Sequence, residues 1–164
     1  MLFAIQILLA LFLQQDPAGT PKWEDYPTSE PIWKGPNAAP KLVRADERMF
    51  QTRITNAAKE PPDFAGHYRF ADWGCGSVCA AGALIDLKTG AIYPPPKIGP
   101  PGKGWSRWIF AGGIVEGPYL ETRPGSRLAI TRHQKQNDMQ TVRYWEWTGS
   151  AFRLLRERTE RKTQ

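Results

Sequence analysis

Between Ala45 and Glu60, in ADERMFQTRITNAAKE, the apolar residues Phe50, Ile54 and Ala57 or Ala58 recur about four and seven apart, the spacing of one helix face. Asp46 stands where a first-turn cap is expected, and Pro61 with Pro62 closes the run, so one substantial helix is predicted here. Beyond the prolines the period changes to two. In DFAGHYRFADW, Phe64, Tyr68 and Phe70 fall on one face of a strand while His67, Arg69 and Trp73 fall on the other. GALIDLKTGAIYP reads as a hairpin turning at Lys88-Thr89-Gly90 and ended by Pro94. SRWIFAGGIVEG, SRLAITRH and VRYWEWTGSAFRLLRE supply further strands, the last folding back at Thr148-Gly149-Ser150. The pattern predicts an α+β, mainly β protein, an antiparallel meandering sheet with one N-terminal helix.

Two stretches fall outside this periodicity. Residues 16–40 are rich in proline, with Trp23, Tyr26, Ile32 and Trp33 scattered among polar positions, and read as an extended arm whose aromatics pack against the domain. PPPKIGPPGKGW, from Pro94 to Trp105, is a loop by composition and long for a compact fold. Loops on a rigid scaffold disproportionately carry function, which makes Trp105, Arg107 and Trp108 candidate contact residues. Trp73, beside the cysteine turn, joins them as a candidate.

The chain opens with an uncharged apolar run from Leu2 to Leu13. A membrane-spanning helix needs about 20 apolar residues, whereas the core of a secretory signal needs roughly 7 to 15, so residues 1–15 are predicted to be a signal peptide. The mature form is then expected to be exported, secreted or periplasmic, without stable membrane insertion. Residues 41–164 form a single β-rich domain by length, large enough to bury its own core.

The formal charge is +6, and about half of that excess sits in RLLRERTERK, Arg153 to Lys162, where five basic residues face two acidic ones. No recognisable nucleic-acid module carries these charges, so nucleic acid is not expected as a partner. The tail reads as a solvated segment laced with pairs such as Glu157 and Arg161, four apart if helical.

FADWGCGSVCAAGALIDL holds both cysteines of the chain, Cys75 and Cys79. In an oxidising compartment two cysteines are most simply paired, and Gly74 and Gly76 suit a tight closure. The competing chemistry is a thiol-redox or copper- or zinc-handling site using both thiolates, with His67 and His133 as further ligands. The downstream hairpin is the wrong context for a thioredoxin-like motif, and both histidines lie on faces shared with arginine.

The order AAKEPPDFAGHYRFADWGCGSVC, then GALIDLKTG, then RPGSRLAI, then YWEWTGSAFRLL, spanning roughly Arg44 to Leu155, resembles a group of uncharacterised small secreted bacterial proteins. That group carries a Phe-Ala-Gly-x-Tyr strand and a Trp-Gly-Cys-Gly-x-x-Cys turn. The resemblance implies export, and since the group has no established activity it carries no catalytic residues over to this chain.

Catalytic signals are thin. Asp63, Asp72, Asp86, Glu116 and Glu121 are dispersed, no spacing selects a pair for hydrolysis, and turn capping accounts for Asp63 and Asp86. There is no Gly-x-Ser-x-Gly elbow and no phosphate-cradling loop. Gly74 to Ser77 could point backbone N–H groups at an anion, but a short glycine turn more often simply turns. Arg143, Trp145 and Trp147 share a face that is either an aromatic platform or core, and core is favoured in a small sheet. The expected function is a non-catalytic, monomeric envelope binding or inhibitor-like module without cofactor, its partner an envelope protein or glycan. The alternatives are the thiol or copper protein and a carbohydrate-active enzyme.

Overall fold

The computed structural model describes residues 19–75, 79–96, 109–112, 120–134 and 137–162. The predicted helix is two short ones, α1 (Ala45–Met49) and α2 (Gln51–Ala57), divided at Phe50, whose backbone leaves helical angles. Phe50 turns its ring onto Trp73, 4.4 Å away and nearly parallel, and the chain bends where that contact is made. Asp46 does not cap α1. The cap position is Arg44, and Glu47 reaches back to accept its backbone N–H at 2.8 Å.

Among the described residues eight strands follow: β1 (Tyr68–Gly74), β2 (Cys79–Asp86), β3 (Ile92–Tyr93), β4 (Ile109–Gly112), β5 (Leu120–Glu121), β6 (Leu128–Gln134), β7 (Met139–Trp147) and β8 (Phe152–Arg161). They form two antiparallel sheets, not one meander. In the first, β2 pairs with β1 on one side and with β3 and then β4 on the other; the second is a meander β5-β6-β7-β8. The chain is mostly β with few helical residues.

Strand alternation explains the layers. On β1 and β2 the odd positions Ala71, Trp73, Ala81, Ala83 and Ile85 meet Ile54 and Ala58 of the helical segment, whereas Tyr68, Phe70 and Leu84 meet Ala129, Trp145 and Trp147 of the second sheet. Three alanines on the helical side leave room for the helices to lie close. A sheet covered on both faces needs apolar residues at every position, which is why CAAGALID has no polar alternation before Asp86. Trp73, proposed from sequence as a contact residue, is therefore core: 6 % exposed, with its face against Phe50.

The outer face of the second sheet carries Leu128, Ile130, Val142 and Tyr144, and the proline-rich arm covers it with Trp23 and Tyr26. Ser126 Oγ donates to the carbonyls of Trp23 and Tyr26, each at 3.0 Å, and Arg127 N–H donates to Tyr26 at 2.7 Å. The arm then crosses to the first sheet, where Trp33 N–H donates to Gly66, Ala38 N–H to Leu87 and Lys41 N–H to Gly90, all at 2.8 Å. Apart from the short 3-10 turn Trp23–Asp25, the described part of the arm has no regular structure, and it satisfies its backbone against both sheets.

The basic tail is also placed differently from the helical pairing drawn above. It is the edge strand β8, and Glu157 lies across from Arg143 of β7 with a charged hydrogen bond from its guanidinium. The pairing is cross-strand because the backbone has period two at this point.

Candidate binding cleft at the arm

Where the arm passes between the sheets it closes a cleft of about 380 Å³, whose lining includes Thr28, Glu30, His67, Tyr68, Arg127 and Trp147. His67 is presented by a tight reversal: Phe64 and Tyr68 exchange backbone hydrogen bonds, and Ala65 and Gly66 between them take positive φ of 43° and 86°. Gly66 is required twice over. Its φ disfavours any side chain, and a Cβ would stand 2.9 Å from Thr28 Oγ1 of the arm.

The His67 ring lies against Tyr68, with centroids 4.2 Å apart, and is bracketed by carboxylates. Nδ1 is 3.5 Å from Glu30 Oε2 and Nε2 is 3.7 Å from Asp86 Oδ1, close enough for charge to be felt. Nδ1 itself is buried without a hydrogen-bond partner. Burial holds the imidazole below its ordinary value of 6.5, outweighing the upward pull of Asp86. Glu30 pairs with Lys88, whose hydrogen bond and charge lower its carboxyl further. Asp86 spends Oδ1 on the backbone N–H groups of Lys88 and Thr89, at 2.8 and 3.1 Å, and so caps the β2–β3 turn as its place in the sequence suggests.

On the opposite wall Arg127 donates to Pro27 O at 3.1 Å and to Glu146 Oε1 at 2.6 Å. Arg153 holds the other oxygen of Glu146. Burial would raise the Glu146 carboxyl, but the hydrogen bonds from Arg153 and Arg127 outweigh it and keep it lowered. Arg127 is thus a fixed wall. Trp147 is 1 % exposed, and the Tyr68 hydroxyl is the polar neighbour of its indole N–H, close enough for that N–H to oppose the rise that burial causes at Tyr68.

The residues singled out by sequence are dispersed. Trp105, Arg107 and Trp108 lie outside the described residues, as does Glu116. Cys75 follows β1 and is not a free thiol; Cys79 opens β2. His67 precedes β1 of the first sheet and His133 lies in β6 of the second. Among the described residues no group of three or more His, Cys, Asp or Glu is placed to hold a metal ion. The two carboxylates beside His67 sit at opposite ring nitrogens, so one cation cannot bridge them through the ring. Trp145 and Trp147 are core, Trp145 donating from Nε1 to Thr131 Oγ1 at 2.9 Å. Glu30, Lys88 and Arg127 were not foreseen. The sequence signals for them are the Ala65-Gly66 reversal ahead of His67 and the Asp86-x-Lys88 turn; nothing in the arm marks Glu30.

Asp63 lies outside the cleft and carries a pH dependence. It accepts the Phe70 N–H at 3.0 Å and faces Arg69 at 3.4 Å, yet burial raises it from 3.8 to about 6. The native state therefore binds this proton more tightly than the unfolded chain. Its contribution to stability is full below pH 3.8 and is lost as pH rises through about 6. His67 acts with the opposite sign: its contribution is present above pH 6.5 and is lost as pH falls through its lowered folded value. Asp63→Asn keeps an oxygen for Phe70. It is expected to gain on the order of 2 kcal/mol over the parent at pH 7 relative to pH 4 in urea unfolding. A parent–variant difference that does not change between those pH values would show that Asp63 titrates normally.

Compared with known families, curated proteins and solved structures, the chain has no match. The resemblance drawn from the Phe-Ala-Gly-His-Tyr and Trp-Gly-Cys-Gly segments rests on those residues alone.

Proposed function

We propose that the protein is an exported, non-catalytic binding module of the bacterial envelope that takes a small hydroxyl- or amide-bearing group of its partner into the cleft at the arm. One observation carries this reading: His67 Nδ1, buried and without a hydrogen-bond partner, belongs to a side chain that lines the cleft. An unpaired buried polar atom costs on the order of 1–3 kcal/mol, and a ligand supplying the matching hydrogen-bonding group would recover much of it. The chemistry is recognition: Arg127, the cation of the opposite wall, is committed to Glu146 and Pro27. Export is supported by the apolar run from Leu2 to Leu13, and a Cys75–Cys79 bridge closing the β1–β2 turn belongs to the same proposal.

The test is a titration of side-chain ¹H–¹⁵N signals with N-acetylglucosamine, glycylglycine and glycerol. At least one of the first two is expected to shift the Trp147 indole and His67 imidazole signals together and saturably. His67→Phe should abolish the response while the far-ultraviolet circular dichroism stays unchanged. If none of the three moves either signal, the cleft is not a binding site.

A further inference from the structure

A second cavity, of about 440 Å³, opens where the arm passes the end of α2, and Trp33, Lys34, Asn37, Lys59, Pro61 and Pro62 line it. Trp33 is half-buried and pinned through its backbone N–H to Gly66 O at 2.8 Å. The Lys88 ammonium sits 5.5 Å from its ring centroid. Its indole Nε1 is buried and has no acceptor. Asn37 spends both amide hydrogens on the carbonyls of Ala58 and Glu60, at 3.0 Å each, which fixes the amide and leaves Oδ1 as an acceptor. Lys34 and Lys59 are exposed, and among the described residues no carboxylate lines the cavity with them.

We propose that this cavity is a binding site for a carboxylate-bearing sugar ring. Each part of such a ligand has a counterpart. Flat apolar walls, the indole and two prolines, accept the C–H face of a pyranose. An unpaired N–H and a fixed amide oxygen match ring hydroxyls, which both accept and donate. Two lysines without a carboxylate attract the acid group from solution, and the volume falls in the range of small-ligand pockets. A simple inorganic anion would use the lysines and leave Trp33 and Asn37 idle. The site stands apart from the cleft at the arm, and its side-chain signals are separate from those of His67 and Trp147.

The experiment titrates the full chain with D-glucuronate, D-glucose and inorganic phosphate, following the Trp33 indole ¹H–¹⁵N signal. Glucuronate is expected to shift it saturably, with glucose about tenfold weaker and phosphate without effect on the indole. Lys34→Met with Lys59→Met, both at exposed positions, should weaken glucuronate about tenfold, leave glucose unchanged and preserve the unfolding midpoint. Absence of a saturable shift at Trp33 overturns the proposal. A phosphate response of equal size and lysine dependence also overturns it, showing a plain anion patch. Glucuronate binding indifferent to the lysine pair does the same.

Discussion

Gly90→Ala is expected to detach the proline-rich arm from the first sheet and to cost about 3 kcal/mol or more of stability. Gly90 closes the β2–β3 turn at φ 76°, where an L side chain is strained. A Cβ built there would stand 2.1 Å from the carbonyl oxygen of Ala39, which is backbone and cannot rotate away as a side chain would. The same glycine accepts the Lys41 N–H, and Ala38 N–H donates to Leu87 three residues earlier, so moving the arm breaks both bonds at once. Trp33 and Leu42, which pack against the helical core, would lose that cover. The checks are urea unfolding and limited trypsin digestion, with new early cleavage at Lys34 and Lys41. A variant within 1 kcal/mol of the parent, with an equally resistant arm, would show that the turn and the arm are not coupled.

Trp147→Ala is expected to be the most damaging single truncation, at about 3–5 kcal/mol. Trp147 is 1 % exposed and centres an aromatic cluster, with ring centroids 4.9 Å from Phe152, 5.2 Å from Tyr93 and 5.3 Å from Tyr68. These partners come from both sheets, so the cavity opens where the layers meet and cannot be closed by a shift of one strand. Trp147→Phe should retain roughly half of the lost stability, because most of the ring area remains buried. Thermal and urea unfolding of the two variants together decide it. A loss under 1.5 kcal/mol for the alanine variant would mean that Tyr93 and Phe152 repack into the space.

His67, Asp86 and the turn residues around them were readable along the chain because their signals are local. Asp86 caps the turn it precedes, and the Lys88-Thr89-Gly90 reversal is written in three adjacent residues. The hairpin at Thr148 is local too, the Thr148 N–H reaching Ala151 O at 3.0 Å. Glu30, by contrast, joins the cleft from a segment without periodicity, and only the path of the arm brings it 3.5 Å from His67. The helix shows the limit of periodicity: the apolar spacing from Phe50 to Ala58 is real, but the stacking of Phe50 on Trp73 bends the chain between α1 and α2.

Strand identity and turn positions followed from the order of residues, because each depends on neighbours within a few positions. Which face of a strand is covered depends on what packs from far along the chain. Trp73 alternates with Phe70 and Asp72 as a surface residue would, and it became core because the helical segment lies over that face of β1. Glu157 could pair with Arg161 along a helix or with a residue across strands, and the β7–β8 register set it opposite Arg143. The division of one expected sheet into two followed from the aromatics of β1 and β7, since Tyr68 and Trp147 can both leave water only by facing each other.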